Sequence, residues 1–261
     1  MNEKTRAALL AVNRVFYDDY AGSFGETRAR PWPAWTTLLA EPAAETETRD
    51  RPLRILDVGC GNGRFGLLAS QLIPGPVIYE GWDQSVGLLD QARERLTSQV
   101  AELDLKPVDL GQDPGHWPVT EATFDVIGMF GVLHHMPGLA FRRRLLEALG
   151  RRLAPGGRLW VSWWLLHRTE RFSKKTQPWS RLDEDGARSR GLSAVDPDEL
   201  EPGDFLLSWQ RDGFGLRYLH FPTDDELAEL RDLPGLEPGP PLESDGPTGR
   251  ENLYLRWTRS P

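Results

Sequence analysis

The chain alternates between short apolar runs and stretches whose apolar residues recur with helical spacing. Five apolar runs are typical of buried parallel strands, at 53–58, 77–82, 103–108, 124–133 and 158–164. Helical periodicity follows three of them, at 64–72, 86–100 and 139–153. This alternation predicts an α/β fold, a Rossmann-like sheet of seven mostly parallel strands with helices on both faces.

Both ends of the chain add further elements to this sheet. Residues 2–20 and 34–39 read as helices, and residues 41–52 as a polar linker, so we expect residues 1–50 to form an N-terminal helical lid. An irregular insertion, residues 165–222, follows strand five on the substrate side and ends in a hairpin of 205–209 with 216–221. Residues 223–226 form a capping box, and 252–257 alternate as a last, antiparallel strand. All of residues 1–261 are expected to form one domain.

The first strand runs into a glycine turn that reads G-C-G-N-G. Glycine takes positive φ at little cost and lets the backbone approach a ligand closely, here at Gly59, Gly61 and Gly63. The turn is neither the G-x-G-x-x-G of a nicotinamide site nor a P-loop. Asp57 interrupts the apolar strand before it, and Asp83 follows Gly63 by 20 residues, at the end of the second strand. An acid in that position is suited to bind the hydroxyls of a ribose.

Composition sets broad limits on the class of protein. Apolar residues make up 39% of the 261 residues and charged residues 27%, as in a globular protein. No apolar run approaches the about 18 residues of a membrane span, and the N-terminus lacks a signal-peptide pattern. Cys60 is the only cysteine, so disulfides and a cysteine-ligated metal are not expected. We therefore expect a cytoplasmic protein without membrane contact or a bound metal.

Charge is distributed unevenly along the chain. The net charge is −8, yet residues 139–181 hold 11 basic residues against two acidic ones. A local basic surface of this kind is able to bind phosphates, although a solvated helix face beside a loop would show the same composition.

The Asp57–Gly63 segment resembles the D-x-G-x-G-x-G motif of class I S-adenosylmethionine (SAM) methyltransferases. Two features narrow the chemistry that this resemblance implies. The lone Cys60 lies in the glycine turn, so a cysteine nucleophile for methylating a pyrimidine carbon is not available. The N/D-P-P-Y/F pattern of enzymes that methylate exocyclic amino groups is absent after strand four, where His134 and His135 stand instead. A methyl acceptor would therefore be an oxygen, nitrogen or sulfur atom with a free lone pair.

Further segments resemble the wobble-uridine tRNA carboxymethyl methyltransferases, whose domain also occurs fused to AlkB-type dioxygenases. These segments are F-x-x-T-R-x-x-P-W-P at 24–33, V-L-H-H at 132–135, the arginine pair 142–143, L-x-P-G-G at 153–157 and R-Y-L-H-F at 217–221.

The resemblance implies an enzyme that uses SAM to esterify a carboxymethyl group on the wobble uridine of tRNA. The expected cofactor-binding residues are Asp57, Gly59, Cys60, Gly61, Gly63, Asp83, Gln84, Asp109, Leu110 and Phe130. The expected catalytic residues are Arg28, which would pair with the carboxylate, and His134 and His135, one of which would orient the uridine. The expected substrate-binding residues are Arg30, Trp32, Arg142, Arg143, Trp163 and Trp164, where a tryptophan would stack on a base.

The same resemblance implies two macromolecular partners. One is tRNA, with its anticodon-stem phosphates on the basic 139–181 stretch. The other is a small zinc-binding activator, which the eukaryotic enzymes use to cover the sheet edge at strand three. Here charges alternate along residues 102–106, and an edge blunted in this way does not require a partner. Two other functions stay open: a small-molecule carboxyl or hydroxyl O-methyltransferase, and a non-catalytic SAM- or RNA-binding subunit.

Overall fold

A central sheet organises the structure, a computed structural model that describes residues 1–26, 30–46, 50–119, 122–169, 172, 174–193, 195–209 and 213–260. Its five parallel strands are β1 (Leu53–Val58), β2 (Val77–Asp83), β3 (Glu102–Pro107), β4 (Phe124–Phe130) and β5 (Leu153–Trp164). They lie in the order β3-β2-β1-β4-β5. The predicted α/β class is confirmed, and β3 forms one edge of the sheet.

At the other edge of the sheet the strands are antiparallel. The last strand of the chain, Asn252–Arg259, pairs antiparallel with β5, as predicted. Two three-residue strands, Leu236–Pro238 and Leu242–Ser244, pair with that last strand in turn. The described part of the sheet therefore has eight strands where seven were predicted, because these two short strands add to its antiparallel edge.

Seven helices occur in the described residues. They are α1 (Glu3–Glu26), α2 (Pro33–Thr46), α3 (Arg64–Leu72), α4 (Val86–Leu96), α5 (Leu139–Gly150), α6 (Asp185–Arg188) and α7 (Asp224–Arg231). α2 runs through the first half of the predicted polar linker. The reason is a tertiary one: Glu41 and Glu45, one helical turn apart, both form ion pairs with Arg158 of β5.

β5 also begins earlier than predicted. Ala154-Pro-Gly-Gly157 was expected to end a helix before the strand, but Leu153 already pairs with Phe124, and Arg158 pairs with Val126. The four residues between those two partners are accommodated as an irregularity in the strand. The local turn signal was thus overridden by pairing with β4.

The predicted hairpin is confirmed as β7 (Asp204–Trp209) and β8 (Gly215–His220), and β6 (Thr176–Gln177) extends it to a separate three-stranded sheet. Apolar residues of α1 pack on this small sheet, among them Leu9 and Val12 against Leu206 and Tyr218. One half of the predicted capping box forms, because the Thr223 hydroxyl accepts the Glu226 amide at the start of α7, whereas the Glu226 carboxylate binds Arg142 and His220. None of the helices in the described ranges has the length and hydropathy of a membrane span.

Candidate active site

A cavity lies at the carboxyl ends of β1, β2 and β4, and α1 crosses it. This is where ligands bind in open parallel sheets. Of the ten expected cofactor-binding residues, nine line this cavity: Asp57, Gly59, Cys60, Gly61, Asp83, Gln84, Asp109, Leu110 and Phe130. Gly63 does not line it.

The three glycines of the turn are required for different physical reasons. All three have positive φ, between 53° and 76°. A Cβ on Gly59 would lie 2.3 Å from Cγ2 of Val132, and one on Gly63 would lie 2.9 Å from Cδ1 of Leu96. A Cβ on Gly61 would meet nothing within 4 Å. Gly59 and Gly63 are therefore needed for packing, whereas Gly61 leaves open space beside a ligand-accessible backbone.

The Asp57 carboxylate lies on the cavity wall and is only 2% exposed. It accepts a 2.6 Å hydrogen bond from the Tyr79 hydroxyl. Burial and the nearby Asp83 raise the pKa of Asp57 to about 7, against the lowering effect of the Tyr79 hydrogen bond. A cationic ligand beside Asp57 would favour its ionised form.

Asp83 connects the two loops that flank the cavity. Its Oδ2 accepts the Gly61 amide and its Oδ1 accepts the Ser85 amide, both at 2.9 Å. Burial raises the pKa of Asp83, although these backbone hydrogen bonds favour the ionised form. The carboxylate is thereby fixed at the end of β2, where a ribose is expected to lie.

Asp109 and Leu110 follow β3 and lie under α1. Asp109 Oδ2 forms a 2.8 Å ion pair with Arg14 of α1, and its Oδ1 accepts the Gly111 amide at 2.9 Å. Arg14 also lines the cavity. The ion pair ties the N-terminal helix to the predicted adenine end of the site.

The β4 and β5 end of the cavity is aromatic. Trp32 and Trp164 meet above Gly131, where a Cβ would lie 3.2 Å from the Trp32 ring and 3.9 Å from Nε1 of Trp164. Phe130 packs on Phe65 at 4.7 Å between ring centroids and so forms part of the same wall. These walls suit a flat, unsaturated group.

The two neighbouring histidines have different surroundings. His135 lines the cavity, and its Nε2 lies 2.9 Å from the Tyr17 hydroxyl. His134 is fully buried and stacks on Trp164 at 4.2 Å. His134 is therefore placed behind the wall of the site and not at the ligand, because the turn after β4 directs the two side chains differently.

Several expected substrate residues are not brought to the cavity. Trp163 is fully buried and donates its indole N–H to the His220 carbonyl at 2.7 Å, since successive side chains of β5 point to opposite faces. Arg143 donates to the Glu229 and Asp232 carbonyls near the end of α7. Arg30 is exposed, its carbonyl accepting a hydrogen bond from Arg64. Arg28 lies outside the described residues.

Arg142 contradicts its expected role most clearly. Its side chain is fully buried, where it forms ion pairs with Glu201 at 2.5 Å and Glu226 at 2.7 Å. The His220 imidazole joins the same cluster, with Nδ1 2.7 Å from Asp204 and Nε2 2.6 Å from Glu226. Arg142 is thus a core residue that connects α5, α7 and the insertion.

This buried cluster was not expected from the sequence, because its members come from separate elements. The ligand atoms of Glu201, Asp204 and His220 lie within 4.8 Å of one another, close enough to hold a metal ion. Arg142, however, already supplies a cation to Glu201 and Glu226. Burial lowers the pKa of His220, but its bonds to Asp204 and Glu226 outweigh that and raise it. The group is best described as an ion network that attaches the insertion.

The 139–181 stretch does not present its positive charges together. Several of its arginines pair with acids elsewhere in the chain, Arg158 with Glu41 and Glu45 and Arg168 with Glu243, and Arg181 pairs locally with Glu184. These pairs reduce the positive charge that the described part of the stretch offers to a partner.

Four cavity residues were missed because they lie on α1: Leu10, Asn13, Arg14 and Tyr17. The sequence does contain a pattern that could have identified these four residues. These positions follow the i, i+3, i+4, i+7 spacing of a single helix face, and three of the four are polar, which is unusual for a stripe that faces a core.

Comparisons with known proteins fit this site. Residues 56–159 match the model of a family described as a methyltransferase domain. The tRNA (carboxymethyluridine(34)-5-O)-methyltransferase alkbh8 of Xenopus tropicalis is 31% identical over 163 residues, 62% of this chain and 22% of that protein. The highly reducing polyketide synthase calA of Penicillium decumbens is 30% identical over 153 residues, 58% of this chain and 5% of that protein. The chain thus spans less than a quarter of either relative.

One solved structure shows the fold over nearly the whole chain. It is a SAM-dependent methyltransferase from Clostridium acetobutylicum, with a TM-score of 0.63 at 13% identity, covering 94% of this chain and 99% of that one. The fold is that of the class I methyltransferases. Residues 56–159 also match the methyltransferase-domain model, and among the relatives the finer resemblance is to a carboxymethyluridine tRNA methyltransferase.

Proposed function

We propose that the chain esterifies a carboxymethyl group on the wobble uridine of a tRNA. SAM supplies the methyl group: a bond forms from the acceptor oxygen to the methyl carbon while the carbon–sulfur bond breaks and its electron pair stays on sulfur. A carboxylate is ionised at neutral pH, so no proton must be removed and the protein has only to bind and orient the acceptor.

The observation that carries this proposal is the distribution of charge in the cavity. Among the described lining residues, the three carboxylates belong to Asp57, Asp83 and Asp109, all on the β1 to β3 side. The aromatic end, at Trp32 and Trp164, contributes none. An anionic acceptor at that end meets no lining carboxylate, and a uracil ring is able to stack between aromatic side chains.

Individual residues then take the following roles in the proposal. Asp57, Asp83, Gln84 and the glycine loop bind the cofactor, and Asp109 and Leu110 its adenine. Arg28 pairs with the acceptor carboxylate. Residues 1–50 act as the lid over both ligands, and residues 165–222 form the substrate side of the domain. His135 orients the uridine, while His134 supports Trp164 from behind.

A specific observation favours a second function, the methylation of a small carboxyl or hydroxyl compound. The arginines of the 139–181 stretch are largely paired with acids of the same chain and so offer few free charges to tRNA phosphates. A small acceptor would need only the aromatic end of the cavity. Both functions use the same cofactor site and the same lid.

The deciding experiment incubates the purified chain with labelled SAM and tRNA from cells unable to esterify carboxymethyluridine. The tRNA is then digested and the labelled nucleoside identified. Label in the methyl ester supports the tRNA function and shows that no activator protein or other partner is required. SAM binding without label excludes that function for the chain alone, and a metabolite-extract screen then tests the small-molecule function.

The Arg28→Ala variant tests the proposed partner of the acceptor carboxylate. We expect turnover to be lost while SAM affinity changes by no more than a few-fold, because the arginine is assigned to the acceptor. Arg93→Ala, which removes an exposed arginine paired with Asp90 on α4, is the control for loss of a surface charge. Full activity of Arg28→Ala would contradict the assignment of the carboxylate partner.

A further inference from the structure

We infer that Tyr17 is a catalytic residue that contacts the methyl acceptor, and that His135 positions its hydroxyl. Tyr17 is half-buried on α1 and lines the same cavity as Trp32 and Trp164. Its hydroxyl lies 2.9 Å from His135 Nε2, and the two rings meet edge to face with centroids 5.6 Å apart. The Tyr17 hydroxyl is therefore held at the wall of the cavity by a defined partner.

The partners of His135 determine its tautomer. Nδ1 lies 3.1 Å from the Tyr218 carbonyl, which is only able to accept a hydrogen bond. Asn13 accepts the Tyr218 amide at 2.8 Å through its side-chain oxygen, so its amino group lies 3.3 Å from His135 Nδ1 and 3.4 Å from the His135 carbonyl. We assign the proton to Nδ1 on its shorter contact, the one to the Tyr218 carbonyl, with the Asn13 amino group donating to the His135 carbonyl and Nε2 left as an acceptor. Tyr17 then donates to Nε2.

Three separate elements thus orient one hydroxyl: α1, the turn after β4, and β8 of the insertion. A phenolic hydrogen rotates to suit its partner. His135 holds the Tyr17 hydroxyl at the wall before the acceptor binds. When a carboxylate enters the aromatic end, the single phenolic hydrogen turns from Nε2 to the anion, so a neutral hydrogen bond is exchanged for one to a charged group, which is roughly twice as strong. The bond would fix the carboxylate for in-line attack, and no proton is transferred.

The inference rests on the proposed function in one respect. It takes the atom that the Tyr17 hydroxyl contacts to be an oxygen of the acceptor carboxylate. The test uses Tyr17→Phe, which removes the hydroxyl and keeps the ring. We expect kcat on carboxymethyl-uridine tRNA to fall about 10- to 100-fold, as when a hydrogen bond to a charged group is lost. Affinity for S-adenosylhomocysteine should stay within a few-fold.

Tyr20→Phe is the matched control. Tyr20 lies nearly one helical turn further along α1, is 8% exposed, and faces Gly213 and Gly215 outside the described cavity lining. The Tyr20→Phe variant should be less stable than the wild type but should show no selective loss of kcat. Equal kcat values for Tyr17→Phe and Tyr20→Phe would overturn the inference.

A double-mutant cycle tests the positioning role of His135. His135→Asn keeps a donor for the Tyr218 carbonyl and removes Nε2, the acceptor for Tyr17. If His135 acts through Tyr17, the double variant should be no slower than Tyr17→Phe alone. Additive losses would show that His135 acts independently, which contradicts this part of the inference.

A nitrogen-15 NMR measurement separates the inference from the proposed function. If the wild-type chain binds S-adenosylhomocysteine but methylates no carboxymethyl tRNA, the proposed acceptor is wrong, and the NMR result alone decides on Tyr17. The His135 Nε2 resonance, assigned by its loss in His135→Asn, should shift in Tyr17→Phe and not in Tyr20→Phe. An Nε2 resonance with the same chemical shift in Tyr17→Phe as in the wild type would refute the inference.

Discussion

The Gly61 amide donates a 2.9 Å hydrogen bond to Oδ2 of Asp83, which joins the loop after β1 to the end of β2. The same carboxylate accepts the amide of Ser85, the N-cap residue of α4. One side chain therefore holds both loops of the cofactor site in position, besides facing the cavity itself.

Replacing Asp83 with alanine should weaken SAM binding about 10- to 100-fold, since it removes a charged acceptor and releases the Gly61 loop. The Asp83→Asn variant, which retains one acceptor oxygen, should lose less affinity for SAM. Isothermal titration calorimetry with S-adenosylhomocysteine gives both values. Unchanged affinity in Asp83→Ala would refute the ribose-binding role.

Gly61→Ala should reduce cofactor affinity, because its Cβ would enter open space beside the ligand-accessible backbone. The matched control is Gly156→Ala, which also has positive φ and no neighbour within 4 Å but lies in β5 outside the cavity lining. Each change should cost about 1–2 kcal/mol of unfolding free energy, the strain of a left-handed backbone. Equal cofactor affinity in the two variants would contradict the role given to Gly61.

Asp57 should make cofactor binding depend on pH. With a pKa of about 7 in the folded chain and 3.8 as the ordinary value, it is partly protonated at neutral pH. Cationic SAM favours the ionised carboxylate, so SAM affinity should rise as pH increases from 6 to 8, with proton release on binding. Calorimetry in buffers of different ionisation enthalpy measures that release.

Two variants check the assignment to Asp57. Asp57→Asn should bind SAM more weakly and lose most of the pH dependence, whereas Asp90→Asn, at an exposed ion pair on α4, should keep it. The folded chain also binds the Asp57 proton more tightly than the unfolded chain. Asp57 therefore lowers the free energy of unfolding as pH rises from about 4 to 7, and Asp57→Asn should remove this contribution.

His220 should act on stability in the same direction but over a higher pH range. Its pKa is raised above 6.5 because its bonds to Asp204 and Glu226 outweigh the effect of burial. The stabilisation is complete below pH 6.5 and is lost as pH rises through the raised value. Urea unfolding of wild-type and His220→Gln chains between pH 6 and 9 should show a larger fall in the wild type, because the fall caused by Asp57 is common to both chains.

Arg142→Ala should destabilise the fold by about 3–5 kcal/mol, because two buried carboxylates lose their cationic partner. Arg144→Ala, on the same helix and half exposed, should change stability by about 0.5 kcal/mol or less. Chemical unfolding measures both variants. Normal stability combined with weaker tRNA binding in Arg142→Ala would restore the substrate role that its burial contradicts.

The cofactor half of the site was predictable because its signals are local. The glycine turn, Asp57 before it and Asp83 after the next strand follow one another along β1, α3 and β2. In a parallel sheet the ends of successive strands lie together, so spacing in the chain translates directly into proximity. Nine of the ten expected residues line the cavity for this reason, and Gly63 serves the packing of α3 on α4.

Only the tertiary structure decided the acceptor half. Which of His134 and His135 faces the cavity, and whether Arg142 meets a substrate or two glutamates, depends on elements far apart in sequence, since Glu226 is 84 residues from Arg142 and Tyr17 is 118 from His135. By itself the sequence determined the sheet and the glycine loop and predicted the class of enzyme, because periodicity and turn chemistry act over short distances. Burial and charge pairing depend on the assembled elements, and so only the fold determined where the side chains of Tyr17, His135 and Arg142 lie.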